Sequence, residues 1–214
     1  IAQQVAPLMH LSSLTPEGIF SNELASLLLN NMEIQERLID NLEVTLLEKG
    51  YVGLDVDFEF IFARDAPYYA AFISRLTQRF NPLGILVIVA LAPKTSADQP
   101  GLLYEGHDYR ALGEAANQLL LMTYEWGYAF GPPMAVAPIP NVRRVVEYAI
   151  SEIPAQKLWL GIPNYGYDWP LPFVRGQTRA TSISNQYAIS LANRYQAAIQ
   201  YDETAQAPWF RYTD

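Results

Sequence analysis

The sequence of 214 residues contains no cysteine and only two histidines, His10 and His107. The lack of cysteine excludes a disulfide framework, a thiolate zinc site and a cysteine nucleophile. Two histidines are too few for a histidine-rich metal site, and we expect neither a metal nor a cofactor. Lysine and arginine total 14 against 22 aspartates and glutamates, so the net charge is −8. Because nucleic acids and anionic membranes are polyanions, this balance argues against both as partners.

Long apolar runs are also missing: none reaches the roughly 18 residues of a membrane span. The first thirteen residues, IAQQVAPLMHLSS, carry no basic segment and do not read as a signal peptide. The chain opens without Met, so we expect a piece of a longer protein. Aromatic residues are present at 13%, including 14 Tyr and 4 Trp. Such rings can stack on sugars in a carbohydrate site, or they can pack in a core where the Tyr hydroxyl and the Trp N–H find hydrogen-bond partners. Composition alone does not choose between these two interpretations.

Short apolar segments alternate with longer amphipathic ones. We predict strands at 5–11, 52–60, 85–91, 119–124 and 158–162, and helices at 21–29, 31–49, 65–80, 108–116, 141–152 and 184–195. This alternation predicts parallel βα units in one α/β domain over residues 1–214, with no second domain. A (β/α)8 TIM barrel and an open doubly wound sheet both fit. The doubly wound sheet usually carries a glycine-rich phosphate loop, and neither GxGxxG nor GxxxxGK occurs.

The most informative segment is the predicted acidic strand. Side chains alternate along a strand, so Asp55, Asp57 and Glu59 are predicted to share one face. Leu54, Val56, Phe58 and Phe60 are predicted to share the other. Crowding and burial of three carboxyls raise at least one pKa, which prepares a general acid. A solvated polar edge strand and a magnesium or calcium site remain alternatives for this pattern.

The segment GLDVDFE at 53–59 resembles the DGxDxDxE signature of family 18 glycoside hydrolases, the chitinase-like (β/α)8 barrels. Three further segments agree with that family in order: VALAP at 89–93, MTYEW at 122–126 and GIPNYG at 161–166. Longer stretches resemble the spore-cortex-lytic N-acetylglucosaminidase branch. The resemblance implies a TIM barrel of which only part is present, about strands 3 to 7, so that residues 1–214 form an incomplete catalytic domain.

The resemblance also implies an activity: cleavage of β-1,4 bonds after N-acetylglucosamine in spore cortex peptidoglycan, with retention of configuration. Asp57 and Glu59 lie two residues apart on one strand, so they cannot flank a sugar from opposite faces. This spacing favours the substrate-assisted mechanism, in which the sugar's own acetamide attacks. The expected partner is peptidoglycan or a chitin-like polysaccharide. The expected location is the spore cortex or coat, or the extracellular cell wall.

Residue roles follow from the resemblance. Glu59 is the implied general acid and base, Asp57 orients the acetamide, and Tyr124 hydrogen-bonds the acetamide carbonyl. Asp55 is expected to tune Asp57. The other expected substrate-binding residues are Glu125, Trp126, Asn164, Tyr165 and Trp169.

Each aromatic candidate also has a purely structural interpretation, as a core tyrosine or a packing tryptophan, and Asn164 as a loop cap. His107 is expected to order a loop. The chain departs from the family pattern at Val52, at Phe58 and at Glu125, where the family has Asp, Trp and Asp. Three alternatives remain open: a chitinase or chitooligosaccharide hydrolase, a catalytically silent sugar-binding barrel, and a divalent-metal protein that uses Asp55, Asp57 and Glu59.

Overall fold

The structure is a computed structural model that describes residues 5–213. Residues 1–4, which begin the stretch without a signal-peptide pattern, lie outside the described residues. The chain divides into two compact units. The first comprises residues up to 122 together with 147–160, and the second comprises 123–146 together with the residues from 161 onward.

The first unit contains a sheet of five parallel strands whose order in space is their order in the sequence. The strands are β1 (Leu8–Ser12), β2 (Gly53–Asp57), β3 (Leu86–Leu91), β4 (Gln118–Leu121) and β5 (Leu158–Leu160). A doubly wound sheet reverses its strand order at a switch point, whereas a barrel adds strands in sequence. The sequential order therefore confirms the fold prediction, part of an α/β barrel.

Helices connect these strands. They are α1 (Asn22–Leu29), α2 (Met32–Lys49), α3 (Ala66–Phe80), α4 (Leu102–Glu105), α5 (Tyr109–Ala115) and α6 (Ile139–Glu152), of which residues 147–152 belong to the first unit. Their ends follow local chemistry. The side chains of Ser21, Asn31 and Asp108 cap α1, α2 and α5 by accepting a backbone N–H of the first turn. Gly50 ends α2 at φ 69°, a left-handed conformation that glycine adopts without strain.

The core of the first unit lies where α3 packs on the sheet. Residues 87–91 of β3 are all buried, as expected for a central parallel strand. The buried face of α3 carries Tyr69, Phe72, Ile73, Leu76 and Phe80. Phe58, just after β2, stacks on Tyr69 with ring centroids 5.6 Å apart. The chain that leaves β2 is thus anchored in the core one residue before Glu59.

Three predicted strands extend past the carboxyl ends of the observed strands, which are β2, β4 and β5. β2 ends at Asp57, whose partner in the register is Ser12, the last residue of β1. The chain then turns, and Phe60 has φ 56°. Glu59 therefore lies beyond the strand. Phe60 is half-buried, and its assignment to the buried apolar face was wrong because the strand alternation stops before it. In the same way β4 ends at Leu121, three residues before Tyr124.

The second unit contains two short antiparallel pairs that the sequence analysis missed. β6 (Tyr165–Asp168) pairs with β7 (Thr181–Ser184), which leads into α7 (Asn185–Arg194). β8 (Gln200–Asp202) pairs with β9 (Ala207–Trp209). Strands of three or four residues are too short to show a period. Tyr165 is the first residue of β6. Among the described helices, none has the length and apolarity needed to cross a membrane.

Candidate active site

The two predicted catalytic acids lie at the carboxyl end of strand β2. Asp57 is its last residue, and Glu59 follows two residues later. Carboxyl ends of parallel strands meet at one edge of the sheet, and the loops that follow them carry the active sites of α/β barrels. β2 lies between β1 and β3, so it is not an edge strand of the sheet. The polar edge strand considered above is therefore excluded.

Asp55, the innermost carboxyl, has a partner that the sequence analysis did not assign. His10 on β1 is paired in register with Asp55. The His10 Nδ1 atom lies 2.8 Å from Asp55 Oδ2, a hydrogen-bond distance. The two residues are 45 positions apart, and only the pairing of β1 with β2 brings them together.

Asp57 is half-buried. Among the described residues its Oδ1 atom has no hydrogen-bond partner, although it is shielded from solvent. Burial raises the pKa of Asp57, the positive charge of a protonated His10 lowers it, and the negative charge of Asp55 raises it. An unpartnered buried carboxylate oxygen is costly, so this atom is available to a donor from a bound molecule.

Glu59 has the electrostatics of a general acid. Burial, followed by the negative charge of Asp57, raises its pKa from 4.5 to about 7. The carboxyl thus holds its proton in much of the neutral population and can also give it up.

A buried histidine supports the segment that carries Glu59. His107 is fully buried and donates from Nε2 to the carbonyl of Phe58, while Nδ1 accepts the N–H of Ala92. Burial lowers its pKa from 6.5 to about 4, so the ring is neutral. These bonds confirm the prediction that His107 orders a loop. Tyr69, also missed from the sequence, is fully buried, and burial and then the charge of Asp57 raise its pKa.

The second unit holds a cluster around Glu125. The Tyr165 hydroxyl donates to Glu125 Oε1, and the Tyr167 hydroxyl lies 2.9 Å from both carboxylate oxygens. Burial, and then the bond to Glu125, raises the pKa of Tyr167 to about 12. Glu125 has φ 67°, an uncommon conformation for a residue with a side chain and one that concentrates at functional sites. Tyr167 was missed by the sequence analysis.

The other predicted residues of the second unit are placed as follows. Tyr124 is half-buried, and its proximity contributes to the raised pKa of Tyr165. Trp169 donates its indole N–H to the Gly131 carbonyl at 2.8 Å, so part of its role is structural. Its ring lies 5.7 Å from that of Tyr167. Trp126 is half-buried and Asn164 is exposed.

The structure therefore brings Asp55, Asp57 and Glu59 together with His10 in the first unit. It brings Tyr124, Glu125 and Tyr165 together with Tyr167 in the second. Within residues 5–213, no three or more histidine or carboxylate side chains are grouped in a way that could hold a metal ion.

The chain was compared with known proteins. Residues 19–214 match the family described as glycosyl hydrolases family 18. The "Cortical fragment-lytic enzyme" of Bacillus subtilis (strain 168) is 48% identical over 195 residues, which are 91% of this chain and 45% of that protein. The chain thus spans about half the length of the curated relatives it matches.

Solved structures give the same result. The spore cortex-lytic enzyme SleL of Bacillus megaterium QM B1551 superposes with a TM-score of 0.91 and 49% identity, over 97% of this chain and 47% of that one. A chitinase from Chromobacterium violaceum ATCC 12472 superposes with a TM-score of 0.89 and 27% identity, over 99% of this chain and 64% of that one.

Proposed function

Because the chain belongs to the glycosyl hydrolases of family 18, we propose that it cleaves β-1,4 bonds after N-acetylglucosamine in spore cortex peptidoglycan. One observation carries this proposal: a carboxyl, Glu59, with a pKa of about 7 stands two residues beyond Asp57 at the carboxyl edge of the sheet. A glycosidase needs a protonated carboxyl next to an ionised one. We also propose that residues 1–214 are part of one catalytic domain.

The spacing of the two acids supports substrate-assisted catalysis with retention. A retaining enzyme with two catalytic carboxyls places them on opposite faces of the sugar, about 5–5.5 Å apart. Asp57 ends β2, and Glu59 follows it two residues later, near enough for the charge of Asp57 to raise the Glu59 pKa. We therefore assign the second face of the sugar to the substrate. The acetamide oxygen of the N-acetylglucosamine unit then attacks its own C1 as Glu59 gives its proton to the departing glycosidic oxygen.

The charge that develops in this step explains the role of Asp57. Attack by the acetamide oxygen gives a cationic oxazolinium ion, whose N–H is suited to the unpartnered Oδ1 atom of Asp57. An ionised Asp57 orients the acetamide and stabilises the cation. Water then attacks C1 while Glu59, now a carboxylate, takes its proton. The C1–O bond to the acetamide breaks, and the β configuration is restored.

The proposed roles of the remaining residues follow from the resemblance to the family. Asp55 tunes Asp57, and Tyr124 donates a hydrogen bond to the acetamide carbonyl. Glu125, Trp126, Asn164, Tyr165 and Trp169 contact the glycan. For Trp169 the contact is through the ring face, because the indole N–H is held by Gly131.

Cortex peptidoglycan is the proposed substrate because relatives at 48% and 49% identity are named a cortical fragment-lytic enzyme and a spore cortex-lytic enzyme. This substrate implies a place in the spore cortex or cell wall. The test is a digest of purified spore cortex fragments, analysed by mass spectrometry. We expect new reducing-end N-acetylglucosamine. Reducing-end muramic acid would contradict the proposed bond, and faster cleavage of chitin oligomers would favour a chitinase, in line with the Chromobacterium violaceum neighbour.

The pH dependence of the reaction follows from Glu59. Because the acid must be protonated and its pKa is about 7, kcat/KM is expected to fall about tenfold per pH unit above that value. The measurement is kcat/KM against pH on a soluble cortex fragment, with protein folding followed by circular dichroism over the same range. A rate that is constant up to pH 9 would contradict the proton-donor role.

The Glu125 cluster gives a prediction about substrate binding. Tyr167→Phe removes the hydroxyl that reaches both oxygens of Glu125 and leaves that carboxylate less fixed. Losing one hydrogen bond worth about 0.5–1.5 kcal/mol corresponds to a rise in KM of roughly 2–12-fold, with a smaller change in kcat. Tyr187→Phe on the exposed side of α7 is the matched control. An unchanged KM in the Tyr167 variant would contradict the proposed contact between Glu125 and the glycan.

A further inference from the structure

His10 occupies a position from which it can act on the acidic strand. Its Nδ1 atom lies 2.8 Å from Asp55 Oδ2. The His10 side chain is 53% exposed, whereas that of Asp55 is 26% exposed. The histidine thus connects an enclosed carboxyl to solvent, and it does so from a neighbouring strand whose register fixes the contact.

The surroundings of His10 are acidic. The charged groups that face its ring are the carboxylates of Asp55 and Asp57, both on β2. From α3, Tyr69 packs near the same two carboxylates, but its buried hydroxyl stays neutral. Two observations therefore point to His10 independently: the direct hydrogen bond to Asp55, and the influence of its positive charge on Asp57, which has an unpartnered buried oxygen.

We propose that His10 is a positioning residue for the hydrolytic reaction, which holds Asp55 by a hydrogen bond and places its ring beside the carboxylates of Asp55 and Asp57. This inference rests on the proposed function. It adds a residue outside the acidic signature and assigns it a chemical role.

Catalysis depends on which of the three neighbouring carboxyls hold a proton. The reaction needs one proton on Glu59 and none on Asp57. An ionised Asp55 raises the pKa of Asp57, as does burial, and His10 is the group that opposes both. Without the imidazole, Asp57 takes up a proton at a higher pH and loses the negative charge that stabilises the oxazolinium ion.

The test separates the hydrogen bond of His10 from its charge. His10→Asn keeps an N–H donor near the position of Nδ1 but cannot become charged, and His10→Leu removes both. Loss of a neighbouring positive charge is expected to move the acidic limb of the kcat/KM profile of His10→Asn upward by about one pH unit. The plateau rate is expected to be retained in His10→Asn and lowered in His10→Leu. Leu8→Asn, two residues earlier on β1 and opposite Gly53, is the control.

A second measurement does not depend on activity: carbon-13 NMR titration of the Asp57 carboxyl in the wild-type protein and in His10→Asn. A higher Asp57 pKa in the variant supports the inference. An unchanged Asp57 pKa or an unchanged acidic limb overturns it while the proposed function stands. If the folded wild-type protein cleaves no glycan, the proposed function fails, and the titration still decides whether His10 controls Asp57.

Discussion

Glu59→Gln is expected to lower kcat/KM on cortex fragments by about 10²–10⁴-fold, the range that a positioned general acid contributes. Glutamine has nearly the same shape as glutamic acid and retains hydrogen-bonding groups. It has no acidic proton to give to the glycosidic oxygen. Burial and the charge of Asp57 make the pKa of Glu59 about 7, so the change removes a group that is poised to transfer a proton.

The same variant separates an enzyme from a sugar-binding protein. In an enzyme, Glu59→Gln stops turnover but leaves glycan binding largely intact. In a catalytically silent sugar-binding barrel, neither the wild type nor the variant gives product, and both bind the glycan. Glu48→Gln, at an exposed position of α2, is the matched control. Equal amounts of product from wild type and Glu59→Gln would contradict the role of Glu59 as the general acid.

The second large effect is expected at Asp57. Asp57→Asn replaces an anion by a neutral amide of the same size where the cationic intermediate forms. Loss of one such preorganised electrostatic partner costs about 10²–10³ in kcat. We expect a loss of this size, with a smaller change in KM, because the interaction is made mainly in the transition state.

Asp57→Asn also has an effect that can be measured without substrate. The charge of Asp57 is the second cause of the raised pKa of Glu59, after burial. Removing that charge is therefore expected to lower the Glu59 pKa below about 7, which NMR titration of the Glu59 carboxyl can detect. Asp98→Asn, at an exposed position, is the control. A folded variant with near wild-type kcat would contradict the proposed role of Asp57.

Much of the first unit could be predicted from the sequence because its signals are local. The cap residues Ser21 and Asn31 act within one helical turn. Four of the five strands are mainly apolar runs, and β2 alternates apolar with acidic residues. Either pattern can be read without knowledge of the neighbouring strands. The acids of β2 could be identified because a strand alternates its faces, so Asp55 and Asp57 had to share one.

What could not be predicted depends on contacts between distant segments. His10 meets Asp55 through the register of β1 against β2, which no local pattern specifies. Tyr167 meets Glu125 because a four-residue strand, too short to show alternation, carries it. Strand ends were also missed. β2 stops at Asp57 where its pairing with β1 stops, and that limit is a property of both strands.

His107 limits the stability of the folded protein at acidic pH, and this limit is independent of the catalytic reaction. Its pKa is about 4 when folded and 6.5 when exposed. The unfolded chain therefore takes up this proton first as pH falls. The stability that the neutral ring contributes is complete above about pH 6.5 and is lost as the pH falls through about 4. A protonated ring also cannot accept the N–H of Ala92. Acid would thus inactivate the protein by loosening the support of Phe58, whereas alkali would inactivate it by deprotonating Glu59.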